Sequence, residues 1–401
     1  MKSFSLGSVA KITSGGTPSR QNSDYWNGSV PWVKTGEINQ RFIYDSSETI
    51  TPLGVSKSAA KVYPANTLLM AMYGQGKTRG KVAILKIEAA INQACAAIVP
   101  DYNILDTEFL FHELEHRYQH IRNLSNVGNQ ENLNAEIIRS IKIPDIPLPE
   151  QKKIAEILGA CDEAIEAQER LIAQKQQRKK GLMQKLLTGQ TRFPKFAGTP
   201  WRQVRLGVIG SVTGAGVDKK SNVEEVPVRL VNYMDVYRNS FITSEILDHE
   251  VTAPEKKAKQ CSTKIGDVFF TPTSEKPTDI ANSAVALEDI PDAVYSYHVV
   301  RLRLAEDWDL RFRAYAFTTD EFMRQAERIC EGSGTRYVIS LEDFRGITVR
   351  VPSKEEQSAI STVLSACDEE ITLQQSKLEQ LKQQKKGLMQ QLLTGKVRVK
   401  V

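Results

Sequence analysis

The sequence predicts an α+β protein. Two similar α/β domains are joined by two long antiparallel helices, which form an intramolecular coiled coil with pseudo-two-fold symmetry. A helical segment that begins at Glu150 is repeated without a gap from Glu356, and both copies contain the block KKGLMQ-x-LLTG. Each copy carries a sustained heptad pattern, which is typical of helices that pack on each other. The stretches before the copies hold short β-branched runs and turn residues not strictly alternating with helices, which favours α+β.

The duplication divides the 401-residue chain into four segments. Its period is far too long for a solenoid and predicts two large modules, each ending in one copy of the repeat. The predicted segments are a first domain over 1–148, a central repeat helix over 149–193, a second domain over 194–352 and a C-terminal repeat helix over 353–401.

The two domains present their sequence signals in the same order. Each begins with Leu-Gly and a glycine-rich turn, followed by a Val-Pro strand entry, a strand that runs into a polar loop, and an amphipathic helix. The paired positions are Leu6-Gly7 and Leu206-Gly207, Val30-Pro31 and Val226-Pro227, the strands 67–73 and 266–271, and the helices 107–123 and 310–331.

Each repeat copy is predicted to be one helix of about 37 residues, roughly 55 Å long. A proline precedes each copy (Pro149, Pro352), and a glycine stands where each helix is expected to end (Gly189, Gly395). The alternative is two surface helices, each packed on its own domain. The predicted coiled-coil interface consists of Ile154, Leu158, Ile165, Gln168, Ile172, Leu182, Leu186, Ile360, Leu364, Ile371, Gln374, Leu378, Leu388 and Leu392.

The heptad pattern also predicts the direction of pairing. Both seams are apolar at their ends and polar in the middle, and a glutamine in such a seam typically fixes the register. If Gln168 faces Gln374, the helices run antiparallel. Ile154 then lies near Leu388, and Leu182 lies near Ile360.

Composition limits the function classes. The chain carries a net charge of +5 and has a pI of about 8.7, which is compatible with a polyanionic partner. No stretch approaches the 18 apolar residues of a membrane span, and the first residues lack the apolar run of a secretory signal, so neither a membrane span nor a leader is expected. Its five cysteines form no C-x-x-C pair, which is typical of a reducing compartment and predicts a cytoplasmic protein.

Three motifs resemble catalytic or phosphate-binding signatures. His112-Glu113-x-x-His116 matches the zincin pattern but lacks an obvious third ligand, so it is interpreted as the solvated face of a helix. The stretch from Gly74 to Thr78 resembles the end of a phosphate-binding loop, but its first glycine is replaced by Ala71. Pro144-Asp145 followed by Glu150 resembles a nuclease motif, but its acids are too close together in the chain. We therefore predict no catalytic residue and no metal site.

The order of motifs resembles the specificity subunit of type I restriction–modification systems, over essentially the full length. The resemblance depends on the LGSVAKITSGGTP opening, the YWNGSVPWVKTGEI segment, the G-x-G-K loop, Gly334-Thr335-Arg336 before the last strand, and the duplicated GLMQ-x-LLTG helices. The two domains differ in places. Where the second has Gly-Thr-Arg, the first has Gly128-Asn129-Gln130, and the second lacks the Tyr-Trp…Pro-Trp signature.

The resemblance implies a non-catalytic protein with two target-recognition domains, each of which reads one half of a split double-stranded DNA target. The helices would set the gap between half-sites and dock two modification subunits. Those subunits would bind S-adenosylmethionine and methylate adenine, so this chain itself is expected to hold no cofactor. Separate restriction subunits would translocate and cleave DNA.

Residues that read bases are expected to be polar and to lie in loops, with Arg or Lys directed to guanine and Asn or Gln to adenine. The candidates are Lys34, Gln75, Lys77, Arg79, Asn129 and Gln130 in the first domain, and Arg229, Asn232, Lys276, His298, Thr335 and Arg336 in the second. The alternative for each is a solvated loop residue or a phosphate contact. The alternative function is a coiled-coil scaffold with two protein-binding domains. Its affinity would be insensitive to salt, whereas that of a DNA reader falls steeply with salt.

Overall fold

A computed structural model of the protein describes residues 2–74, 77–124 and 132–400. The chain forms two compact units. Unit 1 comprises Met1–Arg170 with Ser376–Val401, and unit 2 comprises Leu171–Gln375. Each unit holds one α+β domain and part of each long helix, so the predicted fold class is confirmed.

The domain of unit 1 is built from short strands and short helices. Its strands are β1 (Ser3–Ser5), β2 (Ala10–Ser14), β3 (Trp26–Val33), β4 (Phe42–Ile43), β5 (Thr49–Ile50), β6 (Val62–Tyr63), β7 (Leu68–Ala71), β8 (Val82–Leu85), β9 (Ala89–Ile91), β10 (Cys95–Pro100) and β11 (Lys142–Pro144). Its helices are α1 (Leu6–Val9), α2 (Pro52–Ser56), α3 (Thr107–His116), α4 (Tyr118–Asn123) and α5 (Ala135–Ser140), followed by the first long helix, α6 (Leu148–Leu187).

Unit 2 repeats this pattern. Its strands are β12 (Arg202–Arg205), β13 (Gly210–Thr213), β14 (Val226–Val231), β15 (Phe241–Ile242), β16 (Glu250–Ala253), β17 (Val268–Phe270), β18 (Thr273–Ser274), β19 (Ser283–Ala286), β20 (Ala293–Tyr295), β21 (Val300–Leu304), β22 (Glu331–Ser333), β23 (Arg336–Val338) and β24 (Thr348–Val351). Its helices are α7 (Leu206–Ile209), α8 (Tyr233–Arg238), α9 (Glu255–Cys261), α10 (Phe312–Ala316), α11 (Asp320–Ile329) and α12 (Leu341–Gly346), followed by the second long helix, α13 (Lys354–Leu392).

The sheets of the two units have matching topology. The five-stranded sheets have the orders β2-β10-β7-β8-β4 and β13-β21-β17-β19-β15, and in each the last pair is parallel while the others are antiparallel. A second sheet holds a parallel pair in each unit, β3 with β9 and β14 with β20. Among the described residues, unit 2 has an additional three-stranded sheet, β18-β23-β22.

The five-stranded sheets are buried on both faces. In β7, Leu68 and Met70 pack with the helices on one side, whereas Leu69 and Ala71 pack on the other side with residues that include Val33 and Ile91 of the second sheet. Successive side chains of a strand point to opposite faces. A continuous apolar run such as LLMA is therefore what a doubly covered strand requires.

Each long helix is fixed to its domain by a buried glutamine near its first turn. Gln151 donates to the carbonyl oxygens of Ile146 and Ile104, at 2.8 and 2.9 Å, and accepts from the backbone N–H of Asp106 at 2.8 Å. Gln357 likewise donates to the carbonyl oxygen of Pro352 and accepts from the N–H of Asp309. Asp106 in turn caps α3, and Asp309 accepts from the N–H of Phe312, the first residue of α10.

The glutamate before each glutamine binds an arginine from beyond the end of the other long helix. In unit 1, both carboxylate oxygens of Glu150 accept from Arg398, at 2.8 and 2.5 Å. In unit 2, both oxygens of Glu356 accept from Arg192, at 2.9 and 2.6 Å, and one also accepts from the indole N–H of Trp201. The two carboxylates are buried, so these bidentate pairs satisfy charges that would otherwise be costly.

The long helices pair in antiparallel fashion within each unit. In unit 1, Asp162 and Glu169 of α6 bind Lys385 and Lys382 of α13. In unit 2, Lys175 and Lys179 of α6 bind Glu370 and Asp368 of α13. In both units the partner's number falls as the α6 number rises. The predicted antiparallel direction is therefore confirmed.

The apolar ends of the seam belong to the domain cores as well as to the helix pair. Ile154, Leu158 and Leu392 are buried in the core of unit 1, with Leu388 packed against it. Leu186, Ile360 and Leu364 are buried in the core of unit 2, with Leu182 packed against it. Of the remaining seam positions, Gln168, Ile172 and Ile371 are buried, whereas Ile165, Gln374 and Leu378 are half-buried. The two glutamines lie in different units, and their pairing stays a prediction.

Candidate nucleic-acid interface

A short hairpin carries two of the candidate residues in unit 2. Strands β22 and β23 pair with Ser333 opposite Arg336, so Gly334 and Thr335 form the two-residue turn between them. Gly334 has φ +66°, and a Cβ on Gly332 would meet the carbonyl oxygen of Arg336 at 2.1 Å. The turn therefore requires this glycine pattern. Thr335 and Arg336 are exposed at its tip.

Three further candidates lie around this hairpin. Strand β18 pairs with β23, and its antiparallel register carries the chain from Ser274 toward the hairpin turn, so Lys276 follows on that side. Burial, and after it the charges of Lys219 and Arg336, lower the pKa of His298, which places His298 near the hairpin. Asn232 precedes α8, whose Tyr233 donates to the carbonyl oxygen of Thr273 in β18.

Arg229 is separated from this group. It lies on β14, half-buried, and donates to the carbonyl oxygens of Pro291 at 3.1 Å and Ser244 at 3.4 Å. An arginine that satisfies two backbone carbonyls already has a structural role. The hairpin thus brings together Asn232, Lys276, His298, Thr335 and Arg336, and not Arg229.

In unit 1, Lys34 is held by an ion-pair network. Its ammonium donates to Glu48 at 2.6 Å, and the other oxygen of Glu48 binds Arg20, also at 2.6 Å. The hydrogen bonds from Lys34 and Arg20 lower the pKa of Glu48. The guanidinium of Arg20 lies 3.7 Å from the ring centre of Trp26, a cation–π contact. The exposed Arg20 was not among the predicted residues.

The other candidates of unit 1 differ in accessibility. Lys77 is exposed, in the loop between β7 and β8, and its carbonyl oxygen accepts from the hydroxyl of Tyr118 at 2.7 Å. Arg79 is buried, with 4% of its surface exposed, so it cannot reach a base without a local rearrangement. Gln75, Asn129 and Gln130 lie outside the described residues.

The accessible candidates occupy equivalent loops in the two units. Lys34 and Asn232 directly follow β3 and β14, and each backbone N–H donates to the acid three residues later, Glu37 or Asp235. Lys77 lies between β7 and β8, and Lys276 lies between the matching strands β17 and β19, after the short strand β18. Two exposed basic residues close to the candidates, Arg20 in unit 1 and Lys219 in unit 2, were not predicted. The basic doublet at Lys219–Lys220 was a usable signal for the second.

The H-E-x-x-H segment is buried, so its interpretation as a solvated helix face was wrong for two of its residues. His112 and Glu113 are 0% and 1% exposed. Asp162 of α6 lies 3.8 Å from His112, and Arg117 forms an ion pair with Glu113. Burial lowers the pKa of His112. Burial also raises the pKa of Glu113 to about 7, despite its ion pair with Arg117.

The same segment does not assemble a zincin site. In the described part of the chain, the acid and imidazole groups close enough to share an ion are His112, Glu115 and Asp162, without His116. The ammonium of Lys385 lies 2.7 Å from Glu115 and 2.6 Å from Asp162, where it supplies the positive charge. Burial would raise the pKa of Glu115, but His112 and Lys385 together hold it at about 2.

Unit 2 contains an equivalent cluster built on Tyr315. The repeat aligns Asp368 with Asp162 and Lys179 with Lys385, and these two residues form an ion pair in unit 2. Tyr315, at the helix position that matches His112, donates to Asp368 at 2.8 Å and contacts Ser365 at 3.2 Å. The Asp of the repeated triplet ACD and the first Lys of the repeated triplet KKG therefore bind each other across the antiparallel helices.

Comparison with known proteins decides the family. The family model described as "Type I restriction modification DNA specificity domain" matches residues 1–174 and 199–383. The chain belongs to this family. The specificity subunit of the type I restriction enzyme MjaVIII, from Methanocaldococcus jannaschii, is 24% identical over 94% of this chain and 91% of that protein. The EcoR124I/EcoR124II specificity subunit of Escherichia coli is 31% identical over 39% of this chain and 40% of that protein.

Solved structures of this family share the fold. The specificity subunit from M. genitalium matches 98% of this chain and 95% of its own, with a TM-score of 0.55 and 16% identity. A chain from a study of complex assembly and conformational transition in a type I system matches 98% and 97%, with a TM-score of 0.63 and 17% identity. No helix among the described residues of this specificity subunit is long and apolar enough to cross a membrane.

Proposed function

We propose that each α+β domain of this specificity subunit reads one half of a split double-stranded DNA target. The long helices set the gap between the half-sites and dock two modification subunits, which bind S-adenosylmethionine and methylate adenine. The chain itself is non-catalytic and works in the cytoplasm. Restriction subunits join the same complex to translocate and cleave DNA.

The observation that carries this proposal is the recurrence of the candidate residues at equivalent loops of two topologically matched domains. A split target requires two recognition domains that share one fold and carry different side chains in their DNA-facing loops. The pair Lys34 and Asn232 fits that requirement, because lysine suits guanine and asparagine suits adenine at the same structural position. The hairpin tip at Thr335-Arg336 adds a bidentate donor suited to guanine.

The partner proposal is supported by the polar outer surface of the helices. Lys180 and Lys386 are exposed at equivalent positions of α6 and α13, so each copy of the repeat offers the same kind of surface to a subunit. Two copies of one surface are suited to bind two copies of one partner.

The test is to co-express the chain with its modification subunits and to map the methylated adenines. One split motif is expected. In a second chain, residues 1–148 are replaced by the matching domain of a relative. This should change one half-site completely and leave the other unchanged. Simultaneous change of both half-sites would contradict two independent readers, and salt-insensitive binding with no methylated motif would favour a protein-binding scaffold.

The role of the helices in setting the gap has its own test. Inserting one heptad into both helices, near Ala173 and Glu379, preserves the seam. It lengthens each helix by about 10 Å, equivalent to roughly three base pairs. The added turn of the duplex is about 100°, because one turn holds about 10 base pairs. We therefore expect a longer gap with weaker methylation. An unchanged gap at full activity would show that the helices do not set the distance.

A further inference from the structure

A cleft in unit 1 is lined by basic side chains. It lies between the start of β1, the junction of α3 and α4, strand β11 and the end of α13, and its volume is about 590 Å³. We call it the basal cleft. Its basic lining residues are Lys2, His116, Arg117, His120 and Lys142, and its one acidic lining residue is Glu113.

The acidic residue that lines the basal cleft does not neutralise its lysines. Glu113 is buried and forms its ion pair with Arg117, which also donates to the carbonyl oxygen of Lys142 at 2.6 Å. This pair forms one fixed wall of the cleft. Within the described ranges, no carboxylate forms an ion pair with Lys2 or Lys142, and both side chains are exposed. Charged groups that the fold leaves without a partner are available to a ligand of opposite sign.

The matching region of unit 2 lacks such a cleft. There the end of α6, helices α10 and α11, and strand β24 enclose only about 10 Å³, lined in part by Phe322 and Thr348. The charges in its lining are matched, because Glu321 binds Arg350 at 3.3 Å. The shared topology therefore does not require an open basic cleft at this position. At this position, the described residues form an open basic cleft in unit 1 and a small, charge-matched one in unit 2.

The basal cleft adjoins the surface that carries the unit 1 candidates. Gln119 lines it and also lines a neighbouring cleft of about 680 Å³. The charged lining of that cleft is basic at Lys77, Lys81 and Arg122 and acidic at Glu115, Asp162 and Glu166, on the side of the long helix. The hydroxyl of Tyr118 fixes the loop of Lys77 to α4. Basic side chains thus extend from that loop, across α4, to Lys2 and Lys142 at the base of the domain.

We infer that the basal cleft binds phosphates of the DNA backbone next to the bases that unit 1 reads, and that unit 2 makes no equivalent contact. This inference rests on the proposed function. The exposed Lys2, His120 and Lys142, together with Lys77 in a candidate base-reading loop, are complementary to a phosphodiester chain. Such contacts position the protein and add affinity without reading sequence.

The test is the double variant Lys2→Gln/Lys142→Gln, in complex with the modification subunits. Its matched control is Arg202→Gln/Arg350→Gln, which removes the same charge from the equivalent strands of unit 2, where Glu306 and Glu321 already bind both arginines. Binding of a duplex with the mapped target is measured by fluorescence anisotropy over a range of salt concentrations. Phosphates are mapped by ethylation interference.

We expect the basal-cleft variant to bind more weakly and its salt slope to fall by about 2, since each lost phosphate contact lowers it by about 1. The methylated motif should stay unchanged, and interference should disappear at phosphates beside the unit 1 half-site. The control should keep the parent slope. Both variants should melt like the parent, because Lys2 and Lys142 are exposed and the ion pairs of Arg202 and Arg350 lie at the surface, where such pairs contribute little to stability.

An unchanged slope and unchanged interference would overturn the inference. So would weaker association with the modification subunits at parental DNA affinity, which would assign the cleft to an acidic protein segment. Failure of the parent complex to methylate any split motif would instead overturn the proposed function.

Discussion

In unit 1, His112 and Glu115 of α3 lie beside the Asp162–Lys385 pair, whereas in unit 2 Tyr315 lies beside Asp368 and Lys179. Counting from Asp106 and Asp309, Glu113 of unit 1 corresponds to Ala316 of unit 2, and both are buried. The two units therefore share one backbone plan but place different ionisable groups where the domain meets the long helices. The shared topology therefore does not determine how much charged groups contribute to the stability of the contact between each domain and the long helices.

The largest expected difference between the units is the loss of stability when the equivalent lysines of the repeat, Lys385 and Lys179, are replaced. Lys385 is 11% exposed and binds two carboxylates, whereas the side chains of Lys179 and Asp368 are 20% and 36% exposed. Replacing Lys385 with Met should destabilise unit 1 by about 2–4 kcal/mol, because two partly buried carboxylates lose their partner. Lys179→Met should cost unit 2 about 1 kcal/mol. Hydrogen exchange measures the two units separately, and equal losses would contradict this ranking.

A pH titration tests the difference between Glu113 and Ala316. The pKa of Glu113 is raised from 4.5 to about 7. The folded state therefore holds this proton more tightly than the unfolded state, and the resulting stability is lost as the pH rises through 7. Relative to Glu113→Gln, the free energy of unfolding of unit 1 should fall by about 2 kcal/mol from pH 5 to pH 8.5. A constant difference between the two proteins would contradict it, and unit 2 serves as the internal control.

The candidate DNA-reading residues of the two units should also differ in how much they contribute to DNA affinity. Arg336 is exposed at a hairpin tip, whereas Lys34 is bound to Glu48. Arg336→Ala should weaken binding by about 1–2 kcal/mol and relax one position of a half-site. Lys34→Ala should have a smaller effect, because the parent must first break the ion pair. Binding measured on duplexes with single base changes distinguishes the two, and a larger effect of Lys34 would reverse the ranking.

The smallest expected difference between the units is the change in unfolding midpoint when the arginine of each arginine–glutamate pair is removed. The side chain of Arg192 is 17% exposed and that of Arg398 is 61% exposed, although both bind buried glutamates. Arg192→Ala should therefore lower the unfolding midpoint of unit 2 by a few degrees, and Arg398→Ala should lower that of unit 1 by less. A Lys at each position serves as a control, because it keeps the charge and loses the bidentate geometry. Equal shifts would show that solvent exposure does not set the strength of these pairs.

The helix architecture could be predicted because its signals are local and occur twice. The heptads, the flanking prolines and glycines, and the polar middle of each seam require no knowledge of the rest of the chain. They led to the antiparallel direction, which the ion pairs confirm in each unit. The predicted neighbours Ile154 and Leu388 share the core of unit 1, and Leu182 and Ile360 share that of unit 2, but their direct pairing stays a prediction. The matching order of strand signals likewise anticipated the matching sheets.

The candidate site was less predictable because its accessibility depends on distant residues. Nothing near Arg79 in the sequence indicates that it is buried, and nothing near Lys34 indicates that Glu48 binds it. The burial of His112 is equally non-local, because groups from both long helices surround it. Residue type and loop position identify candidates, but packing decides which of them can reach a ligand.

The division of the chain has a consequence for its synthesis. Unit 2 is continuous from Leu171 to Gln375, whereas unit 1 needs Met389, Leu392 and Leu393 to complete its core and Arg398 to neutralise Glu150. The domain translated first therefore stays incomplete until residues 389–398 leave the ribosome. At about 5–20 residues per second, that wait is on the order of 10–40 s. A nascent chain that ends after unit 2 contains one complete domain and one domain whose apolar core is exposed, because Met389, Leu392 and Leu393 are missing from it.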